Sequence, residues 1–117
     1  MTRKFEIVTK SKKKIIVENI LYVIDYNSFL RFEHSREDFT FMISFSDLLY
    51  YRELDIPVEE TGKKIHIHFT DGVFYEILNY TILDIKSAKY VVLHNSDSKS
   101  VLLGFYLGNV LRMEQIF

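Results

Sequence analysis

Apolar and polar positions alternate with a period of two along most of the chain, the pattern of strands buried on one face. In Phe39-Thr40-Phe41-Met42-Ile43-Ser44-Phe45 the alternation sets Phe39, Phe41, Ile43 and Phe45 on one side. Ile65, Ile67 and Phe69 do the same in Lys64-Ile65-His66-Ile67-His68-Phe69, and Val101, Leu103, Phe105 and Leu107 make a third row. Leu30, Phe32 and His34 alternate with Arg31 and Glu33. The β-branched and aromatic side chains in these rows suit a pleated, half-buried surface.

Turn chemistry falls between the rows. Asp71-Gly72 is the strongest short hairpin signal, because a tight turn needs positive φ and Asp-Gly supplies it. Asp25-Tyr26-Asn27-Ser28, Ser35-Arg36-Glu37-Asp38 and Asn95-Ser96-Asp97-Ser98-Lys99 are polar turn clusters. The stretch from Asp55 to Gly62 holds the one proline, Pro57, and reads as the main linker. Helix is scarce: Ser46 to Leu54 is either a short helix capped by Ser46 or Asp47, or a tyrosine-rich strand.

The segments on either side of the linker echo each other. Ile24-Asp25 answers Leu83-Asp84, and Leu30 to Ser35 answers Tyr90 to Asn95, which sets His34 against His94 sixty residues on. Ile43 to Leu49 answers Phe105 to Leu111, sixty-two residues on. The expected fold is therefore mainly β: two similar five-stranded antiparallel halves, 5–54 and 64–116, joined by a linker at 55–63. They would pack as one unit, barrel or sandwich, with at most one short helix. Each half would have a short first strand, a long bent second, two middle strands and a short last one.

Residues 64–116 resemble the Sm-like family of small SH3-like barrels. The likeness rests on the Ile65-His66-Ile67-His68-Phe69 strand, Asp71-Gly72 at the turn, Asp84 closing a long second strand, Tyr90-Val91-Val92-Leu93, and the closing turn Leu107-Gly108-Asn109-Val110. Residues 5–54 would be a degenerate second copy. The resemblance implies barrel topology. It does not imply RNA binding, because Ala88 lies near where the family's base-holding asparagine would stand, and Leu107 replaces its RNA-clamping arginine. Glu76-Ile77 also replaces a second glycine. Lys14 to Asp25 is similar to the opening strands of LytTR DNA-binding domains, without the basic C-terminal segment of that family.

Composition narrows the function classes. A chain of 117 residues with ten Phe and eight Tyr has ample apolar mass for a core, at a length that buries roughly two-thirds of the unfolded surface. No apolar run approaches the roughly 18 residues of a membrane span, and charge in Met1 to Glu6 stands where a secretory leader would be apolar. The absence of cysteine excludes disulfides and thiolate metal sites and fits a reducing cytoplasm. A formal net charge of −1 gives no overall phosphate-binding footprint.

Candidate chemistry is correspondingly sparse. Arg3, Lys4, Lys10, Lys12, Lys13 and Lys14 crowd the start of the chain. They are either edge-protecting turn lysines or a patch for nucleic acid or an acidic partner. Tyr50-Tyr51-Arg52 joins residue types enriched at binding hot spots, and Tyr75, Tyr80 and Tyr106 are candidates to line a face. His66 and His68 share a strand face, with Glu76 across the hairpin and His94 further on, as some β-barrel metal sites begin. The alternative sets Ile65, Ile67 and Phe69 to the core and both histidines to water. No nucleophile elbow or Gly-rich phosphate loop is present. Paired carboxylates at Glu37-Asp38 and Glu59-Glu60 sit in turns, where solvation accounts for them. The expected protein is a non-enzymatic binding or regulatory module without cofactor, working by protein–protein contact or self-association, as a homodimer. Lys12, Lys13, Lys14, Tyr50, Tyr51 and Arg52 are its candidate binding residues. Nucleic-acid binding through the lysines is the alternative and a His-x-His metal enzyme the second alternative. Leu111, Met113, Ile116 and Phe117 offer apolar surface to a second chain.

Overall fold

Strands account for nearly all the regular structure in the computed structural model, which describes residues 2–35, 38–87, 89–96 and 100–116. The chain divides into two compact units, 1–55 and 56–117. No α-helix occurs among the described residues, and Ser46 to Leu54 resolves into a turn followed by a strand.

In the first unit the strands are β1 (Arg3–Thr9), β2 (Lys14–Ile20), β3 (Tyr22–Tyr26), β4 (Phe29–Glu33), β5 (Phe39–Ser44) and β6 (Leu48–Glu53). β1 pairs antiparallel with β2 on one side and β6 on the other. β3 pairs with β4 and β4 with β5. Only Leu21 separates β2 from β3, so one length of chain leaves the first sheet and enters the second. Asn19 bends the chain just before the change, in a bulge of the β1–β2 ladder at φ 59°, a left-handed conformation that Asn tolerates better than most residues. The Leu21 amide then donates to the Glu33 carbonyl at 2.8 Å, starting the new ladder. Between the sheets Phe5, Phe32 and Tyr51 meet edge to face, with ring centroids 5.3 to 5.8 Å apart. Such pairs add to the burial of three large rings.

In the second unit the strands are β7 (Lys64–Phe69), β8 (Phe74–Leu78), β9 (Ile82–Ile85), β10 (Tyr90–His94), β11 (Val101–Tyr106) and β12 (Val110–Ile116). A 3-10 turn, Leu107–Asn109, precedes β12. β7 pairs with β8 and β12, β9 with β10, and β10 with β11, all antiparallel. The chain changes sheets between β8 and β9 at Asn79, φ 60°, whose side-chain oxygen accepts the Gly62 amide at 3.2 Å. Gly72, at φ 89°, closes the Asp71-Gly72 hairpin, with the Phe69 amide on the Val73 carbonyl at 2.8 Å and the Val73 amide on Asp71 at 3.0 Å. The linker stays out of strand from Ile56 to Lys63. It is tied down where Asn95 donates to the Pro57 carbonyl at 3.0 Å and Glu59 accepts the Ser96 amide at 2.8 Å.

The rows of alternation face inward largely as expected: Ile65, Ile67, Phe69, Leu103 and Phe105 are buried. Two continuous apolar runs, Leu48-Leu49-Tyr50-Tyr51 and Tyr90-Val91-Val92-Leu93, are buried on both faces, as unbroken runs tend to be. Phe39 departs from the expected row. The register of β4 and β5 shifts between Phe32 and Glu33, so Phe41 pairs with Phe32 while Phe39 pairs with Glu33. Thr40 is the extra residue of a bulge. One inserted residue moves everything beyond it to the opposite face, and Phe39 is 44% exposed. The clusters expected at Arg36-Glu37 and Asp97-Ser98-Lys99 lie outside the described residues, as do Ala88 and Phe117.

Phe32 meets three rings of the first core, Phe5, Tyr51 and Phe41, at 5.3 to 6.3 Å. Phe32→Ala is expected to destabilise the protein by about 3–5 kcal/mol in urea unfolding. A loss under about 1 kcal/mol would contradict this packing.

Candidate functional site

The nominated lysines occupy the tip of the β1–β2 hairpin. Thr9 organises that turn: its amide donates to the Lys13 carbonyl at 3.0 Å, and its hydroxyl accepts the Lys13 amide at 3.1 Å. Lys12 sits at φ 71° with Lys13 and Lys14 beside it, all three exposed. The tip is a solvated cluster of positive charge with its backbone bonds satisfied locally.

Tyr50 and Tyr51 point elsewhere. Both are buried, Tyr51 in the Phe5–Phe32 cluster. Arg52 alone of that run reaches solvent, where its Nε lies 3.0 Å from Glu6 on the neighbouring strand. Tyr80 is also buried, its hydroxyl accepting the Gln115 amide at 2.6 Å, and Tyr75 stands against Phe69 at 5.9 Å.

Exposed aromatic surface gathers instead on the outer side of β3–β4–β5. Cross-strand register sets Tyr22 opposite Glu33, Ile24 opposite Arg31 and Tyr26 opposite Phe29; on the far side Arg31 faces Met42 and Glu33 faces Phe39. Tyr22, Ile24, Tyr26, Phe29, Phe39 and Met42 are each between 36% and 49% exposed. Arg31 lies at the centre, its guanidinium 4.8 Å from the Phe39 ring and 6.0 Å from Tyr26, within cation–π range of both. Its Nε is 2.7 Å from the Glu33 carboxylate, though off the line of a hydrogen bond, and Glu33 is only 2% exposed. The ion pair thus holds the cation beside the rings. Sequence reasoning missed this face because Phe39 joins it only through the bulge. Tyr22, Ile24 and Tyr26 do alternate in the sequence, which was the signal available.

The outer side of β12–β7–β8 carries the histidines. Its rows run Arg112–His68–Phe74, Glu114–His66–Glu76 and Ile116–Lys64–Leu78. His66 donates to Glu76 at 2.8 Å and His68 lies 3.3 Å from Glu114; the Phe74 ring packs on both imidazoles, at 5.1 and 4.9 Å. His94 is buried, donating through Nδ1 to the Asn95 carbonyl at 2.8 Å, with Nε2 3.8 Å from Asp84. Among the described residues no three His, Asp or Glu side chains group as a metal site requires. The hydrogen bond from His66, with Lys64 beside it, holds the Glu76 carboxyl below its ordinary 4.5, and Lys86 lowers Asp84 in the same way.

Comparisons of the chain with family models, with curated proteins and with solved structures find no match.

Two outcomes follow from these contacts. A carboxyl whose folded value is depressed stabilises the fold fully above its unfolded value, and that contribution is lost as pH falls through the folded midpoint. Glu76 should therefore titrate below 4.5 by carbon-detected NMR. In His66→Ala its midpoint should rise toward the ordinary value, and the acid-side loss of stability that Glu76 contributes should shrink. An unmoved midpoint would refute the assignment. Arg31→Met leaves the Glu33 carboxylate buried without its partly exposed cation and should cost about 1–3 kcal/mol. Arg31→Met with Glu33→Leu should recover most of that loss in a double-mutant cycle.

Proposed function

We propose that the chain is a non-enzymatic, cytoplasmic interaction protein built from two copies of one five-stranded SH3-like arrangement, and that the outer face of β3–β4–β5 is its docking surface for a protein partner. The internal repetition is supported by matched pairing order: β1 with β2 and β6 answers β7 with β8 and β12, and β3–β4–β5 answers β9–β10–β11. Left-handed residues recur sixty apart, at Lys12 and Gly72 and at Asn19 and Asn79. Backbone hydrogen bonds recur with them. Lys10 to Asp47 answers Thr70 to Asn109, both at 2.8 Å, and Leu21 to Glu33 answers Thr81 to His94. In this reading β2 and β3 are one bent strand, as are β8 and β9. The equivalence sets Glu33 with His94, one residue from the His34 match that the sequence suggests.

The observation that carries the docking proposal is the exposed ring cluster around Arg31. Tyr, Phe, Met and Arg are the residues enriched in interface centres, and large apolar patches on a folded surface mark sites of contact. Their cation is already paired with Glu33 and stacked on Phe39, so a partner meets a mainly apolar surface rather than a free charge. The non-enzymatic reading is supported by how the candidate groups are engaged: His66 on Glu76, and His94 buried on the Asn95 carbonyl. The lack of cysteine supports a reducing compartment; no helix is long and apolar enough to cross a membrane among the described residues.

The test is quantitative affinity capture from the native host with matched variants. Phe29→Ala with Phe39→Ala should leave the protein folded, at a cost of about 1 kcal/mol for the lost Arg31–Phe39 contact. It should weaken the partner recovered by the wild type by about thirtyfold or more, a hot-spot loss. Reversal of Lys12, Lys13 and Lys14 to Glu should leave that partner bound. Recovery that is lost with the lysines and steeply salt-dependent would replace this reading with nucleic-acid binding.

A further inference from the structure

We infer that the chain forms a homodimer by pairing β12 with β12 of a second copy, antiparallel about a twofold axis through Met113. This rests on a different surface from the docking face and stands independently of it. Among the described residues β12 is an edge strand, paired with β7 alone. Edge strands offer a row of unpaired backbone groups, and proteins usually blunt them with Lys, Pro or bulges. β12, Val-Leu-Arg-Met-Glu-Gln-Ile, has neither Lys nor Pro. A register shift at Leu111 leaves Arg112 to Ile116 regular, and most of the strand is exposed, Leu111 at 64%.

Charge selects the occupant and the register. Arg112 and Glu114 project on the same face, two residues apart, with Met113 between them. In an antiparallel self-pair centred on Arg112, arginine opposes arginine, and centring on Glu114 opposes two carboxylates. Like charges directly opposite destabilise a sheet and unlike charges stabilise it. Centring on Met113 sets Arg112 against Glu114 of the second copy, and Glu114 against its Arg112. It also brings Met113 against Met113 and Leu111 against Gln115. The Arg112–Glu114 contact at 3.2 Å within one strand is thereby extended across the axis. The outer row would then run His68–Arg112–Glu114–His66 from one copy into the next, with no like charges adjacent. A symmetric contact of this kind closes on itself and does not propagate. It is small for a specific interface, so the dimer should dissociate in the micromolar range.

Sedimentation equilibrium of the full chain over a wide concentration range tests this. The wild type should show a monomer–dimer equilibrium. Arg112→Glu alone and Glu114→Arg alone should each weaken association by about tenfold or more, because each opposes like charges twice. The double exchange, R112E with E114R, should restore it to near the wild-type value. Because the chain has no cysteine, Met113→Cys gives a second readout that does not depend on the charged variants' folding: mild oxidation or a short bis-maleimide should link two copies through that one residue. A strictly monomeric wild type overturns the inference. So does a ring or open polymer, a dimer indifferent to the single reversals, or a Met113→Cys protein that does not cross-link.

Discussion

One backbone event in each unit determines where its side chains point: a strand leaves one sheet and joins another within three residues. A left-handed residue is one way to bend a strand sharply enough to leave its sheet. Asn19 and Asn79 are such residues, at φ 59° and 60°. As far as Ile20 the chain is paired to β1, with Asn19 in the bulge of that ladder; from Tyr22 to Tyr26 it is paired to β4. The two three-stranded layers of the first unit can then close over Phe5, Phe32 and Tyr51, and the second unit does the same over Phe69 and Phe105, 6.1 Å apart. Any residue that resists positive φ at these points would strain the bend and the core behind it.

The functional surface depends on the same geometry. Once β3 has changed sheets, its alternate residues Tyr22, Ile24 and Tyr26 look away from the core, and the β5 bulge turns Phe39 to join them. Arg31 and the buried Glu33 then hold the face together from its centre. Rings that stand proud of a sheet would ordinarily be a liability for aggregation. Here a single cation lies over Phe39 and is paired with the buried Glu33, so it adds no free charge to the patch.

Much of this was legible in the residues themselves. Period-two rows at Ile65-Ile67-Phe69 and Val101-Leu103-Phe105 gave strand and inward face correctly, and Asp71-Gly72 gave its hairpin. What local pattern hides is register. Nothing in Phe39-Thr40-Phe41 announces an inserted residue, because the insertion is defined only against Phe32 and Glu33 on the neighbouring strand. Tyr50 and Tyr51 looked like surface aromatics beside an arginine, yet the unbroken run from Leu48 to Tyr51 is that of a strand covered on both sides. The pairing of Arg31 with Glu33 is two residues apart and visible, but its burial is a tertiary fact.

The sheet change at Asn19 and Asn79 is therefore the claim to test most directly, by NMR of the uniformly labelled protein. Strong intraresidue HN–Hα cross-peaks, the signature of positive φ, are expected at both asparagines. Cross-strand contacts should also switch partner, from Phe5–Val17 before Asn19 to Val23–Phe32 after it. Extended couplings at Asn19 and Asn79, or no Val23–Phe32 contact, would contradict that claim.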